Sequence, residues 1–255
     1  MEALEALFRW IHILAGIVWI GHLYFFNFVN GPFEGTLDAD AKKKVVPQLR
    51  PRALYWFRWG AAWTWITGFL LVMLVFYHGQ NMFEMGGTWS ALALVMVAVT
   101  FLAFAVYDPL ASQEFAKNNK QMAGVAFVLV VLVVLGYKAA GFGYRAYVIH
   151  LGALFGTLMA ANVWMRIWPA QKLIITAIRD GQAPPADKVA MAGQRSRHNT
   201  YMSVPLVWTM IDSHTSVPFA GAMGVPGVVW LFAIVAIAWG GTMLLYKKAA
   251  QVKGF

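Results

Sequence analysis

The chain has 255 residues, is 60% hydrophobic and only 12% charged, carries a formal net charge of +9 and lacks cysteine. Soluble domains hold roughly 25% charged and about 45–50% apolar residues, so the composition excludes an ordinary soluble domain. Without cysteine there are no disulfides, iron–sulfur clusters, thiolate-bound metals or covalent c-type haem, and the basic residues gather beside apolar blocks as topology charges rather than as a nucleic-acid footprint.

The apolar residues come in blocks of about 20, the length that crosses a bilayer core. Seven spans are expected, in chain order Leu4 to Val29, Leu54 to Tyr77, Trp89 to Leu110, Met122 to Ala140, Tyr144 to Trp168, Thr200 to about Phe219, and Val225 to Tyr246. Each is read as a helix, because a lone segment in lipid must satisfy its own backbone. The first block is too long for a signal-peptide core and no small-residue cleavage site follows it. The sixth is the weakest, broken by Asp212, Ser213 and His214 and flanked by Pro205 and Pro218. The fold expected is an all-α transmembrane bundle forming one integral-membrane domain over residues 1–255, with a cytoplasmic loop at about 169–199. In that loop, Gln171 to Arg179 reads as a short amphipathic helix and Gly181 to Pro185 as a break.

Loop charges set the expected orientation. Lys42, Lys43, Lys44, Arg50 and Arg52, then Lys117 and Lys120, then Lys172, Arg179, Lys188, Arg195 and Arg197, then Lys247, Lys248 and Lys253 all fall on one side if there are seven spans. The opposite connections hold only Lys138 and Arg145. The N-terminus is therefore expected outside and the C-terminus in the cytoplasm of a bacterial inner membrane.

Six histidines lie in or beside the spans. On this topology His12, His78, His150 and His214 form an outer layer, and His22 and His198 an inner one. An ionisable group at membrane depth is a functional-site hypothesis by default, and histidine is the commonest nitrogen ligand of haem iron. His12 and His22 are roughly 15 Å apart along one helix, too far to share an iron, so the layers suggest one or two haem b groups at different depths. His12, His150 and His214 are the main axial candidates, with His22 and His198 for an inner haem. Arg9 and Arg145 would pair with propionates. Gly152, Ala153, Gly156, Ala160 and Ala161, after His150, open a groove that admits either a helix or a porphyrin.

Arg9-Trp10-Ile11-His12 with Ile17-Val18-Trp19-Ile20-Gly21, and Trp63-Thr64-Trp65-Ile66-Thr67-Gly68, resemble the membrane domain of the cytochrome-c-coupled urate oxidases. So do Ile149-His150-Leu151-Gly152-Ala153, Gly156-Thr157-Leu158-Met159-Ala160-Ala161-Asn162-Val163, Pro169-Ala170-Gln171-Lys172, and Gln194-Arg195-Ser196-Arg197-His198-Asn199-Thr200-Tyr201 with Pro205 and His214. The likeness spans nearly the whole chain. It implies a multi-span module that oxidises urate or a related reductant and passes electrons to cytochrome c. In its familiar form a C-terminal c-type haem domain follows; here the c-type partner is expected to be a separate polypeptide.

Three functions are therefore carried forward. The first is a haem-b membrane subunit moving electrons between a reductant or dehydrogenase partner and a separate cytochrome c or a quinone, within a respiratory complex. The second is a membrane urate oxidase coupled to a separate cytochrome c, with Asp212 beside His214 as a candidate proton acceptor and Asn162 and Asn199 as polar groups for the purine. The third is a metal or small-molecule transporter, permitted by 13 methionines and six histidines.

Overall fold

A computed structural model of the chain describes residues 1–84, 87–212 and 221–253. Ten α-helices carry the described residues: α1 Glu2–Tyr24, α2 Gly31–Thr36, α3 Ala39–Val72, α4 Ala91–Leu102, α5 Phe104–Leu110, α6 Asn119–Ala139, α7 Tyr144–Ala161, α8 Trp168–Arg179, α9 Ala186–Asp212 and α10 Gly227–Ala249. Three π turns, Phe25–Asn30, Met73–His78 and Asn162–Ile167, are inserted where α1 meets α2, at the end of α3, and between α7 and α8. The described residues contain no strand, only one bridge between Phe83 and Phe142. The all-α expectation holds.

Five stretches are long and apolar enough to cross a membrane: Glu2–Thr36, Ala39–His78, Asn119–Ala139, Tyr144–Arg179 and Gly227–Ala249. The pair α4 and α5, bent by 52° at Ala103, makes a sixth if counted as one span. This is a multi-pass membrane protein. The expected sixth span is described only as far as Asp212, as the end of α9, and His214 and Pro218 lie outside the described residues.

Local chemistry sets the boundaries. Asp38 accepts the Ala41 amide at 2.7 Å and starts α3, Ser90 accepts the Ala93 amide at 3.1 Å and starts α4, and Asn118 accepts the Lys120 and Gln121 amides to start α6. Gly141 and Gly181, with φ of +82° and +72°, end α6 and α8 in the left-handed conformation that glycine tolerates. The helix α3 runs back to Ala39, far ahead of the expected Leu54, carrying Pro47 and Pro51 inside it.

The chain forms two compact units, one of Met1–Gly68, Met159–Tyr201 and Gly240–Phe255, the other of Phe69–Leu158 and Met202–Trp239. In the first, a small-residue ridge on α3 (Gly60, Thr64, Gly68) meets α1. A Cβ at Gly60 would stand 3.0 Å from the Trp19 amide nitrogen and 3.2 Å from the Ala15 carbonyl oxygen, so the backbones approach as closely as side chains permit. A charge pair with a buried carboxylate also ties this unit. Glu34 takes hydrogen bonds from the Arg50 guanidinium and from Asn30 Nδ2, and Arg50 also donates to Gln171 Oε1 at 3.1 Å. In the second unit α7 packs on the end of α9: Gly152 lies against Thr209 and Met210, and Gly156 against Leu206. The groove of small residues after His150 thus receives a helix here. Gly136 of α6 lies against Met96 of α4, and the Thr100 hydroxyl shares a 2.7 Å hydrogen bond with Tyr137 OH.

Candidate functional site

Three histidines share one arrangement. In the first unit His12 Nδ1 lies 2.9 Å from the Thr64 carbonyl oxygen and 3.2 Å from Thr67 Oγ1. A carbonyl can only accept, and the Thr67 hydroxyl donates to the Trp63 carbonyl at 2.6 Å, so Nδ1 must carry the proton. Nε2 then presents the lone pair of the ring. The ring rests on Gly68, where a Cβ would stand 2.8 Å from His12 Cε1. Two threonines and a glycine of α3 therefore fix both tautomer and orientation of a histidine on α1.

His22 repeats this within its own helix, donating from Nδ1 to the Val18 carbonyl at 2.7 Å. It lines an apolar surface groove of ≈ 450 Å³ together with Ile17, Val18, Gly21, Phe25, Leu49 and Ala53. The expected partner of His22, His198, is half-buried on α9. Two residues before it, Ser196 accepts a 2.8 Å hydrogen bond from Asn27, whose Oδ1 in turn accepts from Tyr246 OH at 2.8 Å. Asn27, in the π turn after α1, is where this segment meets α9, and His22 precedes it by five residues on α1.

In the second unit His150 is fully buried. Its Nδ1 donates to the Ala146 carbonyl at 2.7 Å, so Nε2 accepts, and the donor is the Tyr77 hydroxyl at 2.9 Å. The rings of Phe76, Tyr77, Tyr137 and Phe142 surround it at centroid distances of 5.0–6.2 Å. The cage is closed by backbone: the Gly143 amide donates to the Met82 carbonyl at 3.0 Å, beside the Phe83–Phe142 bridge. Every polar atom of this imidazole is used internally. His78, at the end of the same π turn as Tyr77, is exposed.

Asp212 is buried at the end of α9 and accepts from Tyr144 OH at 2.8 Å. Its expected companion His214 lies outside the described residues. Asn162 and Asn199 are buried and bonded to each other, Nδ2 to Oδ1 at 2.9 Å, with Asn199 Nδ2 donating to the Met159 carbonyl. They join the π turn after α7 to α9. Arg9 forms an ion pair with Glu5 one turn earlier, at 2.6 Å, and Arg145 is exposed near the start of α7. No group of three or more His, Asp or Glu able to hold a metal ion occurs among the described residues.

Sequence reading did not find Tyr77, Thr64, Thr67 or Tyr144 as partners of these groups. For His12 a signal existed, since Thr64, Thr67 and Gly68 recur at helical spacing in one motif. For His150 none did, because Tyr77 lies 73 residues away in sequence.

These features define a class: a polytopic helical membrane protein with histidines anchored through Nδ1 on backbone carbonyls. Within it, the chain belongs to the urate oxidase N-terminal family, whose sequence profile matches residues 33–225. The match takes in His150, His198 and His214, while His12 and His22 precede it. No curated protein and no solved structure matches the chain.

Proposed function

We propose that this protein is a b-type haem electron-transfer subunit of a membrane redox complex, with His12 as an axial ligand. The observation that carries the reading is the His12 anchor. A ligand imidazole needs its far nitrogen hydrogen-bonded to fix tautomer and direction, and Thr64, Thr67 and Gly68 supply that setting. His22 has the same Nδ1 anchor and is the candidate for a second, inner haem with His198. His150 is engaged by Tyr77, and it could ligate only after that hydroxyl moves. Arg9 and Arg145 remain the candidates for propionates. Haem b would supply a one-electron carrier. The chain's part is to hold the imidazole, exclude water from it and keep Nδ1 protonated.

The electron acceptor in this reading is a separate cytochrome c, or a quinone entering the apolar groove at His22. The protein sits in a bacterial inner membrane with the N-terminus outside, as the basic connections favour. The test is a redox difference spectrum of the purified chain with pyridine-haemochrome quantification. The expected outcome is a b-type band that His12→Ala diminishes. A correctly folded protein with no haem would refute the proposal.

Family membership favours a second reading, urate oxidation coupled to a separate cytochrome c. Asp212, held by Tyr144, is then the proton acceptor. Turnover of urate with added soluble cytochrome c, lost in Asp212→Asn, supports it; no turnover by haem-loaded protein rejects it.

A further inference from the structure

Arg58 of α3 lies in an aromatic enclosure. Its guanidinium carbon stands 4.0 Å from the ring centre of Trp168, and 5.7 and 5.8 Å from those of Tyr55 and Trp164. The Trp164 indole N–H donates to the Arg58 carbonyl at 3.1 Å, which fixes that wall to the arginine's own backbone. One turn beyond Trp168, Lys172 brings its Nζ to 5.7 Å from the same indole. Two cations thus share one tryptophan.

Among the described residues no carboxylate answers their charge. Arg58 Nε is shielded from solvent and has no hydrogen-bond partner. Other basic groups do have answers: Arg9 has Glu5, Arg50 has Glu34, Arg179 has Asp180 and Lys188 has Asp187. A shielded N–H left without an acceptor is costly, and the planar fork of guanidinium donors matches a phosphate. The surroundings say where that phosphate comes from. Tyr55, Trp56 and Trp59 are large, exposed aromatics on the same stretch of a membrane-spanning helix, the signature of the headgroup layer.

We propose that Arg58, Lys172 and Trp168 form a binding site for the phosphate of an anionic phospholipid. The aromatic rings hold the guanidinium flat, the fork meets the phosphate oxygens, and Lys172 adds a second positive charge. A zwitterionic lipid is disfavoured because no neighbouring carboxylate is available for its ammonium group. Each basic residue at a membrane surface favours an anionic lipid by roughly fivefold, so the two together give about a thirtyfold preference.

The experiment uses the full chain, delipidated in detergent and then exposed to mixed micelles of phosphatidylglycerol and phosphatidylcholine. Retained lipid is counted by mass spectrometry, and the thermal midpoint is measured in each lipid alone. Wild type is expected to retain phosphatidylglycerol selectively and to unfold at a higher temperature with it. Arg58→Gln should reduce the preference to about fivefold, Arg58→Lys should restore part of it, and Arg52→Gln, whose guanidinium already bonds Gln48, should leave it unchanged. Should Arg58→Gln fail to fold, the exposed Lys172→Gln must show the same loss. Equal retention of both lipids by wild type overturns the proposal, as does stabilisation by inorganic phosphate alone. A haem band lost in Arg58→Gln with lipid retention intact also overturns it, by assigning the guanidinium to a propionate. Because lipid is counted directly, a haem-free preparation does not affect the result.

Discussion

At the scale of single residues, burial makes small changes costly. Removing the Tyr77 hydroxyl leaves His150 Nε2 as a buried acceptor without its donor. Tyr77→Phe is therefore expected to lower stability by about 1–3 kcal/mol, read as a fall in thermal midpoint in detergent. If the midpoint is unchanged, another donor has taken the hydroxyl's place. Gly68→Ala tests the His12 anchor. The new methyl meets the imidazole edge, so overpacking of about 1–3 kcal/mol is expected together with a shift or loss of any b-type band, whereas Gly35→Ala, with open space around it, should change neither. The histidines themselves were legible in the sequence because ionisable groups are rare in apolar blocks. Their partners were not, since the hydrogen bond between Tyr77 and His150 exists only once two distant helices pack.

At the scale of elements, the pair of buried Glu34 and half-buried Arg50 ties α2 to α3. Glu34→Ala leaves the Arg50 guanidinium with its Gln171 bond alone and should cost about 1–3 kcal/mol. The exposed pair of Glu114 and Lys117 is the control: Glu114→Ala should cost about 0–1 kcal/mol. Chemical denaturation of both variants separates them, and equal costs would remove the distinction. Helix positions were largely legible, because apolar blocks of spanning length allow little else in lipid. Two features were not. Pro47 and Pro51 punctuate a sequence in ways that suggest a loop, yet both sit inside α3. The break of α4 and α5 at Ala103 carries no glycine, and the only proline nearby, Pro109, lies inside α5, so the bend leaves no clear mark in the sequence.

At the scale of the molecule, orientation rests on charge. The connection containing Lys117 and Lys120 should face the cytoplasm, and the connection at Ala140–Gly143 the other side. A chain without cysteine is a ready background for the measurement. Single substitutions Asn118→Cys and Ala139→Cys, both at exposed positions, probed with a membrane-impermeant maleimide on intact cells, should give no labelling at the first and labelling at the second. The reverse pattern inverts the topology. The family was legible in the sequence through motifs spread along nearly the whole chain. The span count was less so, because the polar triplet after Ile211 interrupts the weakest apolar block.

The three π turns have a consequence in the history of the sequence. A π turn is an α-helix holding one extra residue, so each is where a single-residue insertion is expected to show. Relatives without it should show a one-residue gap at 25–30, 73–78 or 162–167, and nowhere else in those helices. Removing one residue from 162–167 would let that turn close as ordinary α-helix, and because an i→i+5 turn absorbs its extra residue, the helix beyond would keep nearly the same phase. Trp168 would then stay over Arg58, and α7 up to Ala161 would keep its packing. The extra residue at that turn thus changes the side chains and carbonyls of 162–167 alone, which makes it a place where the chain can lose a residue without disturbing the arginine's stack.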